Sequence, residues 1–189
     1  MSQANMTVAG TLWPASGVNS VLRAAILVAA GTLALAVAAK VQVPFWPVPV
    51  TLQSLVVLAL GAAYGWRLAG VTLVAYLLEG AAGLPVFAGG SGLAYMMGPT
   101  GGYLVGFLAA AMLVGYLAEK GADKRSITMF GAMLAGAALI YVPGIAWLSG
   151  FTGLEKAVAV GFVPFLVGDV LKAALAAAIF PAIWSLLRR

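Results

Sequence analysis

The sequence contains no cysteine and no histidine, and only 8% of its 189 residues are charged. Without these two residue types the chain cannot form disulfides, use a thiolate or an imidazole in catalysis, or build the usual transition-metal sites. No GxxxxGK[ST] motif occurs, so the chain has no phosphate-binding loop for ATP. The sequence therefore predicts neither an enzyme nor a bound cofactor, and any acid or base chemistry is left to five carboxylates.

What the chain has in abundance is apolar residues. They make up 63% of the sequence, and the mean hydropathy is +1.08. Soluble domains carry about 25% charged residues, so this composition predicts an integral protein of the lipid bilayer. The net charge of +5 does not indicate nucleic-acid binding, because the lysines and arginines stand singly at the ends of apolar runs rather than along one face.

Apolar runs of membrane length predict an all-α membrane protein, a bundle of six transmembrane helices with glycine- and proline-rich outer loops. The predicted helices are residues 22–39, 51–64, 67–83, 101–118, 127–148 and 157–187. Residues 1–21 are predicted to be a flexible N-terminal leader, and residues 22–189 a single transmembrane domain. Pro164 and Pro181 predict a bend in the last helix, or a loop before Pro164.

The distribution of cations predicts the topology. A cytoplasmic N-terminus places seven cations inside: Arg23, Arg67, Lys120, Lys124, Arg125, Arg188 and Arg189. Only Lys40 and Lys156 then lie outside, so the positive-inside rule favours a multi-pass protein of the cell (inner) membrane with both termini cytoplasmic. The outer connections become residues 40–50, 84–100 and 149–156. The first, rich in proline, is expected to be an extended cover, and the second, rich in glycine, must cover protein or line a cavity.

Asp169 and Lys172 are two opposite charges within the last predicted helix. At positions i and i+3 they share one helix face, and charges at membrane depth usually face the bundle interior and mark function. Two interpretations remain open from the spacing alone: the pair contacts a ligand, or it forms a mutual salt bridge that joins two helices.

Other polar residues near the outer helix ends are candidates for the same site. Glu79 shares a helix face with Tyr76, and it either joins a polar cavity or extends to the outer surface. Neutral donors and acceptors are available from Ser91, Thr100, Tyr103, Thr51 and Gln53. In the first helix, Ala25 and Ala29 have the four-residue spacing that allows a partner helix to approach closely.

Four segments of the sequence resemble the BioY family, the biotin-binding S components of energy-coupling factor (ECF) transporters. They are "VPVTLQSLVVLALG" (48–61), "YLLEGAAGLPVFAGG" (76–90), "GPTGGYLVGF" (98–107) and "PFLVGDVLKAALAA" (164–177). The resemblance covers residues 22–187. It implies a six-helix subunit that captures biotin from outside and works beside a coupling transmembrane protein and two ATPase subunits. It also places Asp169 and Lys172 at the family's acidic and basic positions, and Ala25 and Ala29 on the helix facing the coupling protein.

The chemistry of biotin matches these residues. An ionised aspartate can accept the two N–H groups of the ureido ring, and a lysine can pair the valerate carboxylate. Some relatives place an arginine in the glycine-rich loop, whereas residues 68–119 here contain no lysine or arginine. Lys172 is then the main cationic candidate for the carboxylate, and Asp169 is expected to bind the ureido ring. Val167 stands where relatives have a proline, which leaves the bend of the last helix open.

A different class of function also fits the sequence. A self-sufficient secondary transporter or channel for a small anionic solute could use Asp169 and Glu79 to relay protons. A membrane-embedded enzyme fits less well, because neither carboxylate has an evident nucleophile or metal beside it.

Overall fold

The structure is a computed structural model that describes residues 7–14 and 19–187. It is mainly helical, with one two-stranded sheet. The α-helices are α1 (Val8–Leu12), α2 (Ser20–Lys40), α3 (Gln53–Tyr64), α4 (Trp66–Ala81), α5 (Gly92–Met96), α6 (Gly101–Glu119), α7 (Ser126–Thr152), α8 (Leu154–Gly161) and α9 (Leu166–Leu187). The strands are β1 (Gln42–Val43) and β2 (Val50–Thr51), and short 3-10 helices cover Ala122–Lys124 and Val163–Phe165.

Four helical segments are long and apolar enough to cross a membrane by themselves. They are Ser20–Lys40, Gly101–Glu119, Ser126–Thr152 and Leu154–Leu187, the last of which joins α8 and α9. α3 and α4 coincide with two further predicted spans but have only 12 and 16 residues. At 1.5 Å per residue these two helices rise about 18 and 24 Å, less than the 30 Å or so of a bilayer core. The predicted count of six crossings is therefore not met by helix length alone.

One boundary differs from the sequence-based prediction and another agrees with it. The third predicted outer connection, residues 149–156, is helical except at Gly153 (φ 80°): α7 continues to Thr152 and α8 begins at Leu154. The predicted helix 157–187 is interrupted at Phe162, before Pro164, as the proline predicted, and it resumes as α9. Pro181 lies within α9 without ending it. Between α7 and α8, Gly153 alone thus makes the sharp turn for which the sequence predicted a longer loop.

Part of the predicted leader packs on the bundle. In α1 the Val8 side chain is buried, and α1 contacts α3 and α9. Nη2 of Arg23 on α2 donates to the Ala9 carbonyl at 3.0 Å. Residues 1–6 and 15–18 of the predicted leader lie outside the described residues.

Helix α6 is the centre of the bundle and packs on α3, α4 and α7. Its glycines allow these contacts. A Cβ at Gly106 would lie 2.7 Å from the Ile140 carbonyl oxygen on α7, and one at Gly115 would lie 2.5 Å from the Trp66 nitrogen at the start of α4. Small residues that let helix backbones approach closely are the usual way to join helices in a membrane.

The segments after α2 and α4 form a cover over one end of the bundle. The sequence predicted an extended conformation for residues 40–50, and the strands β1 and β2 in this region pair antiparallel. Nζ of Lys40 donates to the Phe87 carbonyl at 2.6 Å, and Nε2 of Gln42 donates to the Ala88 carbonyl at 3.3 Å. These bonds join the hairpin to the glycine-rich segment 84–100, which itself contains the short helix α5. The phenyl ring of Phe87 lies where a side chain at Gly80 would otherwise be.

Candidate ligand-binding site

A cavity lies beneath this cover, between α3, α6, α7 and α9. It contains about 560 Å³ of space between atoms, its open mouth included, of which about 60 Å³ can hold the centre of a water-sized sphere. Its lining residues are Val48, Pro49, Thr51, Gln53, Ser54, Ala88, Tyr95, Thr100, Tyr103, Leu104, Phe107, Ile140, Tyr141, Phe165 and Asp169. Asp169 is the charged residue among them.

A hydrogen-bonded group around Asp169 forms the polar floor. Nζ of Lys172 lies 3.3 Å from Oδ1 of Asp169, and Oδ2 of Asp169 accepts a hydrogen bond from the Tyr141 hydroxyl. The same ammonium donates to Oγ of Ser54 at 2.8 Å and to the Thr51 carbonyl at 3.2 Å. Each of its three hydrogens therefore has an acceptor within the protein. Asp169 is 8% exposed, and its two oxygens can accept further donors from a ligand.

A second hydrogen-bonded chain fixes the amide of Gln53. Nε2 of Gln53 donates to the Tyr76 hydroxyl at 2.8 Å, and that hydroxyl donates to the Val86 carbonyl at 2.8 Å. Tyr76 is fully buried on α4, so the chain connects the cavity to the cover through the protein interior. Gln53 also lines the cavity, and its amide can accept through Oε1 and donate through the second Nε2 hydrogen.

Aromatic rings form the walls. The Tyr141 ring packs edge-to-face against Phe162, with centroids 4.9 Å apart, and against Tyr103 at 6.3 Å. The Tyr103 hydroxyl donates to the Gly161 carbonyl at 2.9 Å, which connects α6 to the end of α8. Nearer the cover, Tyr95 stacks on Phe87 with centroids 5.1 Å apart. Such walls suit a flat, mostly apolar ligand.

The structure brings together most of the residues predicted from the sequence. Those that line the cavity are Asp169, Thr51, Gln53, Thr100 and Tyr103. Lys172 and Tyr76 lie behind this lining and contact it through hydrogen bonds. Both interpretations of the Asp169–Lys172 pair hold in part, since the two charges form a salt bridge and Asp169 also faces the cavity.

Two predicted residues are not part of the lining. Glu79 is half-buried on α4, and Ser91 precedes α5 in the cover. Both residues lie near helix ends, as the sequence indicated, but neither lines the cavity that the tertiary packing forms. Ala25 and Ala29, in contrast, are exposed on the outward face of α2.

Several lining residues were not singled out from the sequence, among them Tyr141, Ser54 and Phe165. Tyr141 lies in the middle of a long apolar helix, Ser54 follows Gln53, and Phe165 lies in the interruption before α9. Tyr141 could have been found as a polar group within a membrane-length apolar run, which needs a hydrogen-bond partner. Ser54 and Phe165 carry no comparable signal.

The long apolar helices and the aromatic-walled cavity define a multi-pass membrane protein with a candidate ligand cavity near one end. The BioY family profile matches residues 6–189. This chain belongs to the BioY family, as the sequence motifs predicted.

Individual relatives and a solved structure agree with this assignment. The chain is 40% identical to a biotin transporter BioY of Thermotoga maritima, over 78% of this chain and 88% of that protein. It is 39% identical to a probable biotin transporter BioY of Pyrococcus horikoshii, over 74% and 83%. A crystal structure of the S-component for biotin from an ECF-type ABC transporter has a TM-score of 0.70 and 27% identity, over 88% of this chain and 93% of that one.

Proposed function

We propose that this protein is the membrane-embedded subunit that binds biotin from outside the cell and delivers it for import. One observation carries the proposal: a chain of the BioY family has a cavity with a hydrogen-bonded carboxylate, Asp169, at its floor and aromatic rings on its walls. The relatives that it matches are named as biotin transporters rather than as enzymes.

The ureido ring of biotin fits the floor of the cavity. Its two N–H groups are donors that the Asp169 oxygens accept, and its carbonyl oxygen is an acceptor for nearby hydroxyls. Gln53, Thr51, Thr100 and Tyr103 supply the remaining polar contacts, while the apolar bicycle lies between the aromatic rings. Lys172 acts indirectly in this arrangement. Because its ammonium already has three protein acceptors, it orients Asp169 and is not assigned the valerate carboxylate that the sequence predicted for it.

The cations support a topology in which the cavity opens to the outside. Five cations lie at helix ends, or between α6 and α7, on the side of the bundle opposite the cavity. They are Arg23, Arg67, Lys120, Lys124 and Arg125. Only Lys40, Lys156 and Lys172 among the described cations lie at the cavity end. The positive-inside rule then places the cavity outside and both termini in the cytoplasm of the cell (inner) membrane. We propose six crossings, with α3 and α4 completed by the segments that flank them, and residues 22–189 as one domain.

Import is proposed to be energised in trans by a coupling transmembrane protein and the ATPase subunits of an ECF transporter. The exposed Ala25 and Ala29 stripe on α2 is the surface for the coupling protein, since small side chains allow close helix contact. The rival function, a self-sufficient transporter or channel that relays protons, is not favoured. Glu79 does not share the cavity with Asp169, and the relatives are named for biotin.

Calorimetry on the detergent-purified chain tests the ligand. We expect saturable biotin binding, and no heat at micromolar biotin would reject the proposal. Reconstitution in proteoliposomes then tests the energy source. Uptake is expected only with the coupling protein, ATPase subunits and ATP, whereas uptake driven by a proton gradient alone would support the rival.

A further inference from the structure

Among the residues that the structure describes, the cavity lining includes no cation for an anionic ligand. The lining includes one charged residue, Asp169, and its charge is balanced by Lys172, whose hydrogens are all matched by protein acceptors. A carboxylate that enters such a site without a cation loses hydration and gains no compensating partner. The described cations that remain available for the biotin carboxylate therefore lie outside the lining, at the cavity end.

Two lysines of the described chain lie at the cavity end besides Lys172. Lys156 is on α8, and its Nζ lies 5.8 Å from the ring centroid of Trp46, a side chain that is 75% exposed. Lys40 is the last residue of α2, where the chain enters the cover. The two lysines carry the same charge at the same end of the bundle but have different surroundings. Lys156 lies over the Trp46 ring, and Lys40 lies where the cover begins.

Lys40 is bonded directly to the wall of the cavity. Its Nζ donates to the Phe87 carbonyl at 2.6 Å, and the next residue, Ala88, lines the cavity. The Phe87 ring is 1% exposed and stacks on Tyr95, another lining residue. The Phe87 carbonyl uses one of the three ammonium hydrogens. Within the described ranges, no carboxylate lies within 4.0 Å of Lys40.

We propose that Lys40 pairs the carboxylate of the bound ligand at the mouth of the cavity. This inference rests on the proposed function: with the ureido ring at Asp169, the acyl chain extends away from the floor toward segment 87–88. The side chain of Lys40 then holds the cover closed through Phe87 and neutralises the ligand through its other hydrogens. The selectivity for a carboxylate over a neutral group comes from the cover and not from the floor.

Binding of biotin and of its primary amide to the full purified chain tests the inference, because the two ligands differ only in the charged group. Lys40→Met is expected to weaken biotin about fivefold to thirtyfold, between an exposed ion pair and a buried charge-assisted hydrogen bond. Its affinity for the amide should remain that of the unmodified chain. Lys40→Arg should recover most of the loss for biotin, because it restores the charge.

Two control variants separate pairing from other effects. Lys156→Met removes the same charge at the same end, and equal selective loss in that variant would overturn the inference in favour of general electrostatic attraction. Gln42→Ala loosens the same segment without a change of charge, so it should not alter the preference for biotin over the amide. If Lys40→Met binds both ligands normally, or weakens both equally, Lys40 does not pair the carboxylate. Absence of biotin binding to the unmodified chain would instead reject the proposed function.

Discussion

Nζ of Lys172 lies 3.3 Å from Oδ1 of Asp169, one turn earlier on the same helix, and each charge has further partners on other elements. Lys172 donates to Ser54 on α3 and to the Thr51 carbonyl, while Asp169 accepts from Tyr141 on α7. The pair therefore joins α9 to its neighbours and presents a carboxylate to the cavity.

This coupling predicts the behaviour of a double-mutant cycle. Asp169→Asn and Lys172→Met should each lower the free energy of unfolding by about 1–3 kcal/mol, because each leaves a charge without its partner. The double variant should be less destabilised than the sum of the two. Thermal unfolding in detergent measures this, and strictly additive effects would show that the two charges are not coupled.

The same variants distinguish two roles for Lys172 in binding. If Lys172 orients Asp169, Lys172→Met should weaken biotin and its amide alike, as Asp169→Asn should. If it pairs the carboxylate, as the sequence suggested, only biotin should be weakened. Isothermal calorimetry with both ligands decides between the roles.

Tyr141 is expected to contribute through its hydroxyl. Tyr141→Phe keeps the aromatic wall but removes one donor to Asp169, so it should weaken biotin about twofold to tenfold, the range for one hydrogen bond. Tyr116→Phe is the control, because Tyr116 is exposed near the opposite end of α6. An unchanged affinity in Tyr141→Phe would remove this hydroxyl from the binding site.

The contact between α6 and α7 predicts a strict size limit at Gly106. A Cβ there would lie 2.7 Å from the Ile140 carbonyl oxygen and 2.8 Å from its Cα, which are backbone atoms and cannot move independently. Gly106→Ala should therefore destabilise the bundle by about 1–3 kcal/mol, as overpacking does. Gly131→Ala on α7 is the matched control, since nothing apart from its chain neighbours and its own helix backbone lies within 4 Å of the added methyl, and its melting temperature should not fall. Equal melting of the two variants would contradict the proposed packing.

The outward face of α2 predicts a separation of binding from transport. Ala29→Trp should abolish ATP-dependent uptake in proteoliposomes that contain the coupling protein and ATPases, because the indole prevents close helix approach. Biotin binding to the purified variant should be unchanged, since Ala29 is exposed and does not line the cavity. Val71→Trp on the exposed face of α4 is the control. Uptake that survives in Ala29→Trp would require another interface.

Asp123 predicts a pH-dependent stability. It lies outside the membrane-spanning helices, is 1% exposed, and accepts a hydrogen bond from Nε1 of Trp184 at 2.5 Å. Burial raises the pKa of its carboxyl, although Trp184 and Lys124 act in the opposite direction. An acid whose pKa is raised in the folded state binds protons more tightly there, so stability falls as pH rises from the unfolded-state pKa through the folded one.

The corresponding measurement is the melting temperature across the acidic range. Asp123→Asn should lack the decrease that the unmodified chain shows above the ordinary pKa of an aspartate. Glu155→Gln removes one exposed acid instead and should retain the decrease. A pH profile that is the same with and without Asp123 would contradict the assignment.

Much of the site was predictable because its signals are local. A charge inside an apolar run is costly wherever the helix lies, so Asp169 and Lys172 were identified without a structure. Thr51, Gln53, Thr100 and Tyr103 were found because they stand at helix ends next to loops that lipid does not tolerate. Glu79 has the same local signal, yet it does not line the cavity.

Composition and pattern by themselves determined the class of protein, the approximate helices, the family and the charged pair, because hydrophobic burial and backbone pairing in a bilayer act on each segment separately. Tertiary structure alone decided which side chains meet. The hydrogen bonds of Lys172 reach residues more than a hundred positions away, Tyr141 joins Asp169 across two helices, and Lys40 reaches the Phe87 carbonyl across the cover. Such contacts depend on helix rotation and on how closely glycines such as Gly106 let α6 approach α7, and these are properties of pairs of elements that no single segment encodes.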